Sequence, residues 1–115
     1  MTYSRRVSAS IAYTRVYERR IDAILSREDR DAMELHVADN PEIHPVVQGT
    51  GGVRKARWGL PGMGKRGGIR VIYFYRSTAG VVYFLDVYAK NVKTDLTSAD
   101  KQQLKALVNR LKGIQ

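Results

Sequence analysis

Residues 49–76 read GTGGVRKARWGLPGMGKRGGIRVIYFYR, and the fold is decided here. Residues 53–58, after the Gly51-Gly52 turn, have the composition of a short strand. Residues 69–76 are rich in the β-branched and aromatic side chains that suit a pleated, half-buried surface. Between them, residues 59–68 read as a glycine-rich hairpin loop carrying Lys65 and Arg66. Alternate side chains of a strand share a face. Lys55 and Arg57 therefore project together, with Trp58 facing away. On the next strand Arg70, Ile72 and Phe74 share one face, and Val71, Tyr73 and Tyr75 the other. Two basic strands joined by a basic loop make a cationic surface with backbone N–H groups at hand, which suits a phosphate ligand.

Outward from that stretch, the pattern changes period. Val7, Ala9 and Ile11 alternate with Arg6, Ser8 and Ser10, which predicts a first strand. From Arg15 onward, Tyr17, Ile21, Ile24 and Leu25 fall on one helix face. Ser26-Arg27-Glu28-Asp29 resembles a capping box with Asp in place of Glu. It predicts either a second helix running to about Ala38 or a bend in one long helix. Asn40-Pro41 closes it, because the residue before proline is pushed out of the α region. A loop with Pro41, Pro45 and Gly49 follows. Beyond Arg76, residues 77–80 predict a hairpin connection. Residues 81–88 predict a third strand of this meander, apolar enough to be central. Thr97-Ser98-Ala99-Asp100 starts a helix whose Leu104, Leu107, Val108 and Leu111 form an apolar stripe, and Gly113 stops it. The order β-α-α-β-β-β-α predicts an α+β fold, a small antiparallel sheet flanked by helices, with residues 1–115 as a single domain.

Lys and Arg number 20 against 11 Asp and Glu, a formal net charge of +9. Such a balance points to a polyanionic partner, nucleic acid or an acidic protein. There is no cysteine, which excludes disulfides and thiolate metal sites and fits a cytoplasmic protein. No apolar run reaches the roughly 20 residues of a membrane span. Ser4-Arg5-Arg6 lacks the apolar stretch that would make it an export signal.

Residues 59–65 fit the first seven places of the phosphate-loop pattern, with Asp86 ending a strand that could hold magnesium. The nucleotide reading fails, because Arg66 stands where Ser or Thr must bind magnesium. Gly67-Gly68 and a β-branched run follow, so no helix N-terminus holds the phosphates. A hairpin loop offering Lys65 and Arg66 to a partner is the better reading. His36 and His44 lie eight apart with no metal or nucleophile pattern, so both read as structural or exposed. Glu34, Glu42 and Asp86 form no acid–base pair. Arg54 reads first as a charge solvating a sheet edge, and Tyr73 and Tyr83 as packing partners. For Arg70 the competing role is a structural ion pair.

Chemistry on such a chain must be run by Lys, Arg and Tyr, and cleavage of RNA by its own 2′-hydroxyl suits them. The nucleophile already sits beside the phosphate. The protein must help remove the hydroxyl proton, surround the phosphorane with cationic donors and protonate the leaving 5′-oxygen. A lysine among other cations has its pKa pushed down, which suits a base. Neither metal nor cofactor is required.

Three groups of residues carry a more specific resemblance. They are Gly49-Thr-Gly-Gly-Val-Arg-Lys-Ala-Arg57, then Gly64-Lys-Arg-Gly-Gly-Ile-Arg-Val-Ile-Tyr73, then Leu85-Asp-Val-Tyr-Ala-Lys-Asn91 with Asp95-Leu96-Thr97. In order and spacing the chain resembles the RelE/HigB superfamily of bacterial toxins, most closely its HigB branch, over nearly its whole length. The resemblance implies a small antiparallel sheet flanked by helices. It also implies ribosome-dependent cleavage of translated mRNA and neutralisation by a cognate antitoxin, of helix-turn-helix type and encoded adjacently. Residue by residue it makes Lys55, Arg57, Arg70 and Lys90 catalytic, with Arg54, Lys65, Arg66 and Tyr88 binding RNA. Three features depart from the family pattern. Asn91 stands where RelE-type members have arginine, no tyrosine lies near Thr97, and neither histidine falls near the active strands. The proton donor is then open among Lys90, Arg66 and Tyr88, and base stacking could come from the ribosome. A non-catalytic RNA- or ribosome-binding regulator on the same fold is the alternative function. A basic subunit acting only by binding an acidic protein is a third.

Overall fold

The computed structural model describes residues 8–60, 64–93 and 95–113, with the side chains of residues 64–67 excluded. Lys65, Arg66 and residues 61–63 of the expected loop thus lie wholly or in their side chains outside the described residues, as do Arg6 and Val7. The elements are β1 (Ser10–Tyr13), α1 (Arg15–Ile24), α2 (Arg27–Asp39), β2 (Arg54–Leu60), β3 (Gly64–Arg76), β4 (Val81–Ala89) and α3 (Ser98–Leu111). The expected order holds, and the strands of the β2–β3 hairpin run further into residues 59–68 than glycine content suggests.

Caps decide where each helix starts. Thr14 accepts the Tyr17 N–H and Ser26 the Asp29 N–H, so α1 and α2 are two helices rather than one bent helix. Thr97 and Asp100 exchange both bonds of a capping box at the start of α3. At the other end, Gly113 adopts φ +78, a left-handed conformation that ends the helical run.

The sheet order is β1-β4-β3-β2, with β2, β3 and β4 antiparallel and β1 parallel to β4. The sheet is therefore mixed, where an all-antiparallel one was expected. Alternation in β1 carries no direction, and β1 joins a strand far along the chain, so no hairpin forces the antiparallel choice. Thr14 fixes the junction by donating its N–H to Phe84 O and its hydroxyl to Leu85 O. At the opposite edge, residues 45–47 cover β2 through Lys55 N–H to Pro45 O and Val47 N–H to Val53 O. That pairing blunts an otherwise open edge.

Helices α1 and α2 pack on one face, where Tyr17, Ile21, Met33 and Val37 meet Ala56, Val71, Tyr73 and Phe84. Helix α3 packs on the other, where Val108 with Leu104, Leu107 and Leu111 meets Val53, Ile72, Phe74 and Tyr88. The two faces of β3 divide as the alternation predicts. Gly68 brings β3 against β2, since a Cβ there would lie 2.0 Å from the Trp58 carbonyl oxygen.

Arg30 of α2 ties the two helices together and is 2% exposed. Its Nε donates to Glu34 Oε2 at 2.9 Å, its Nη1 to Asp22 Oδ1 at 2.8 Å, and its guanidinium covers the Tyr13 ring. The Tyr17 hydroxyl donates to the same Glu34 oxygen at 2.6 Å. Burial first, then the bond to Glu34, raises the Tyr17 pKa, so the phenol remains a donor. Arg30→Ala leaves Glu34 buried without its cation. Urea unfolding should register a loss of about 3–5 kcal/mol; a loss under about 1 kcal/mol would show that apolar packing alone joins α1 to α2.

Candidate nucleic-acid interface

Pairing across the sheet sets the side chains of the open face in rows. Arg57 of β2 stands opposite Arg70 of β3, which stands opposite Tyr88 of β4. In the next row Lys55, Ile72 and Asp86 are partners. Opposed residues in an antiparallel pair share a face. The face of Lys55 and Arg57 is thus the face that α3 covers only in part. Trp58 turns away, as the alternation predicts, and its ring lies against His36 on the α2 side.

A cleft of about 480 Å³ opens there, lined by His44, Pro45, Val47, Lys55, Arg57 and Asp95, with Lys101 at its side. Arg57 is exposed and Lys55 half-buried. His44, expected away from the active strands, comes to the cleft because residues 45–47 pair along β2 and carry it there. Its ring also meets His36 and, edge-on, Tyr73. Lys101 reaches the cleft from the first turns of α3. Asp95 brings a carboxylate, with Oδ1 3.5 Å from Lys55 Nζ. The local charge is therefore not uniformly positive, as the basic sequence pattern suggested. Asp95 has its pKa lowered, first by the Leu96 N–H and then by Lys55, and is ionised at neutral pH.

The other expected site residues are spread around this cleft. Arg70 lies in the Arg57 row but is buried, 3% exposed, with Nη1 donating to Ile69 O at 3.3 Å. Lys90 follows the end of β4, where its N–H donates to Gly68 O at 3.2 Å. Arg54 alternates with Lys55 and so belongs to the opposite face. Its Nη1 donates to the carbonyls of Glu42 and His44 at 2.9 and 2.7 Å, which binds the loop after α2. Tyr88 is 7% exposed, and its hydroxyl has no hydrogen-bond partner among the described residues. Among the described residues, no group of three or more His, Cys, Asp or Glu could hold a metal ion, and no helix is long and apolar enough to cross a membrane.

Sequence reasoning assigned no site role to His44, read as structural or exposed, to Asp95, read only within the family pattern, or to Lys101. Each is brought in by tertiary pairing from a loop or helix with no motif of its own. Only the Thr97–Asp100 cap signalled that the start of α3 is fixed in place.

Residues 46–115 match the family model described as the RelE toxin of the RelE/RelB toxin–antitoxin system. Among solved structures the isolated E. coli RelE toxin superposes with TM-score 0.58 at 14% identity, covering 87% of this chain and 99% of that one. The toxin–antitoxin complex RelBE2 of Mycobacterium tuberculosis gives 0.56 at 17% identity, covering 72% of this chain and 99% of the matched one. The intact E. coli RelBE complex gives 0.57 at 16%, covering 71% and 96%. At these identities the likeness is one of fold.

The cap of α3 is linked to charge beside the cleft. The Lys93 side chain first, then the Thr97 N–H, lowers the Asp100 pKa from 3.8 to about 2. A depressed carboxylate stabilises the fold fully above its unfolded value and loses that contribution as the pH falls through its folded value. Asp100→Asn should therefore lose less stability than the wild type between pH 4 and pH 2, read by urea unfolding at each pH. Parallel pH curves for the two proteins would contradict the pairing.

Proposed function

Because the chain belongs to the RelE toxin family, we propose that it is a ribosome-dependent mRNA endonuclease acting in the cytoplasm. In this reading the Lys55–Arg57 cleft receives the scissile phosphate of translated mRNA. The observation that carries it is the convergence of Lys55, Arg57 and Lys101 on one cleft, with the buried Arg70 as the cross-strand partner of Arg57. The cleft cations hold the phosphate oxygens, and the neighbouring Arg70 guanidinium adds positive potential where charge develops. The RNA 2′-hydroxyl attacks phosphorus and releases its proton to water. Lys90, at the same end of the sheet as Gly68, contacts the backbone of the bound strand, with Lys65 and Arg66 as outer RNA contacts, while Arg54 holds the loop after α2 on the other face. Side-chain cations meet the charge of the phosphorane, so cleavage needs no added cofactor and yields 2′,3′-cyclic phosphate ends. The placement within the HigB-like branch rests on the sequence pattern.

Few base edges can be read by so small a cleft, and phosphate contacts are salt-sensitive. Specific cutting then depends on the ribosome to present the strand. Mapping mRNA 5′ ends should find cuts on translating ribosomes and essentially none in naked mRNA at physiological salt. Loss of one preorganised donor typically costs on the order of 100- to 1,000-fold in rate. Arg57→Ala, at an exposed position, should fall by that much with an unchanged melting temperature. Arg70→Ala should fall equally, and Arg70→Lys should recover little, because a point charge lacks the planar fork. Wild-type-like cutting by Arg57→Ala would misplace the site. Absence of cutting by the wild type on ribosomes would leave the non-catalytic RNA-binding regulator.

A neutralising antitoxin completes this reading. A net charge of +9 favours an acidic partner surface over the cleft. Co-expression with an adjacent frame encoding a small helix-turn-helix protein should restore growth and yield a co-purifying complex. A neighbour that neither binds nor protects would refute the pairing.

A further inference from the structure

Among the described residues, Tyr88 is a buried polar side chain of the open face whose hydroxyl is left unexplained. Its hydroxyl is inaccessible and has no hydrogen-bond partner among the described residues. A buried hydroxyl without a partner costs about 1–3 kcal/mol, and phenylalanine would fill the same space without that cost. Position makes the hydroxyl informative. Tyr88 pairs with Arg70, which pairs with Arg57, so the phenol belongs to the row that ends at the cleft.

What covers the ring is held by charge as well as by packing. Leu96 packs with Tyr88 in the α3-side core, and Lys93 Nζ lies 5.7 Å from the ring centroid. The chain carrying both is fastened by Asp95 to Lys55 and by Lys93 to Asp100. Lys55 is also the cation that a substrate phosphate would engage. A phosphate bound at Lys55 removes the partner of Asp95 and repels its carboxylate.

We propose that Tyr88 is the proton donor to the leaving 5′-oxygen, uncovered when a substrate phosphate takes Lys55 from Asp95. The inference rests on the endonuclease reading and supplies the group that it lacks. The 2′-oxygen forms its bond to phosphorus and releases its proton to water. The bond from phosphorus to the 5′-oxygen breaks as the Tyr88 proton moves to that oxygen. The products are a 2′,3′-cyclic phosphate and a 5′-hydroxyl, and the phenolate regains its proton from water. Burial, foremost, raises the Tyr88 pKa and Arg70 opposes the rise, so the group stays protonated and beside a cation that stabilises its phenolate.

Tyr88→Phe tests this on translating ribosomes. The variant should melt at or above the wild-type temperature and co-sediment with ribosomes equally. It should cleave about 100-fold more slowly, the low end for a general acid. A second substrate separates proton donation from positioning. An mRNA with sulfur in place of the bridging 5′-oxygen at the mapped site has a leaving group that needs no proton. Tyr88→Phe should cut it within about threefold of the wild type. Equal cutting of the ordinary mRNA by Tyr88→Phe and wild type overturns the proposal, and so does equal slowing on both substrates. If the wild type cuts neither mRNA, the endonuclease reading itself falls, and the role of Tyr88 with it.

Discussion

Two guanidinium groups stand opposite each other across β2 and β3, and the arrangement of the sheet is what keeps them there. Like charges directly opposed in an antiparallel pair are destabilising. Arg57 and Arg70 are such a pair, and Arg70 is buried. The register persists because the other face pins it. Ala56 and Val71 are partners one step along, both sealed under α1 and α2. A slip of one residue would turn Lys55 and Arg57 into that core and expose the apolar set. Apolar burial on the helix side therefore enforces charge repulsion on the open side. Gly68 adds a steric condition, since only a residue without Cβ lets β3 approach the Trp58 carbonyl.

The two faces are finished differently. On the α1–α2 side, capped helices, the Arg30 network and stacked Tyr17 and Phe84 rings leave a closed layer. On the α3 side a single helix covers the end of the sheet near Phe74 and Val53, and Val108 is its one buried residue. Half-covered sheets usually carry polar residues outward. Here the uncovered portion carries Lys55 and Arg57, so partial coverage by α3 is what makes a cationic face accessible at all.

Local signals in the sequence were good guides to local structure. Strand alternation assigned Lys55 and Arg57 to one face and Trp58 to the other. Thr97, Ser26 and Gly113 marked helix ends, and Leu104, Leu107, Val108 and Leu111 marked the face of α3. Those features depend on near neighbours, so a few residues determine them. The parallel pairing of β1 with β4 was not legible, because alternation has no direction. The arrival of His44 at the cleft depends on residues 45–47 pairing along an edge, and no motif announces that. Asp95 read only as part of a family pattern; its partner Lys55 is forty residues away. Of the site, the basic strand residues were visible, while the depth of Arg70 and the acidic contribution to the cleft were products of packing.

That acidic contribution bears on how a basic protein keeps its cleft available. Ion pairs exposed to solvent contribute about 0–1 kcal/mol. Asp95, largely exposed and 3.5 Å from Lys55, is such a partner. It offsets the crowding of cations on the open face, yet a polyanion that engages several of them at once can displace it. A buried carboxylate in the same place would hold Lys55 too firmly, and an apolar residue would leave the cations to repel one another. The weakness of the pair is thus its useful property. The two sides are held differently: Arg30 and Glu34 of α2 form a buried pair against α1, whereas the segment before α3 is tied by the partly exposed Lys55–Asp95 and Lys93–Asp100 pairs and covers a phenol without a hydrogen-bond partner among the described residues. A fold stable enough on one side can leave the other responsive to the charge of what it binds.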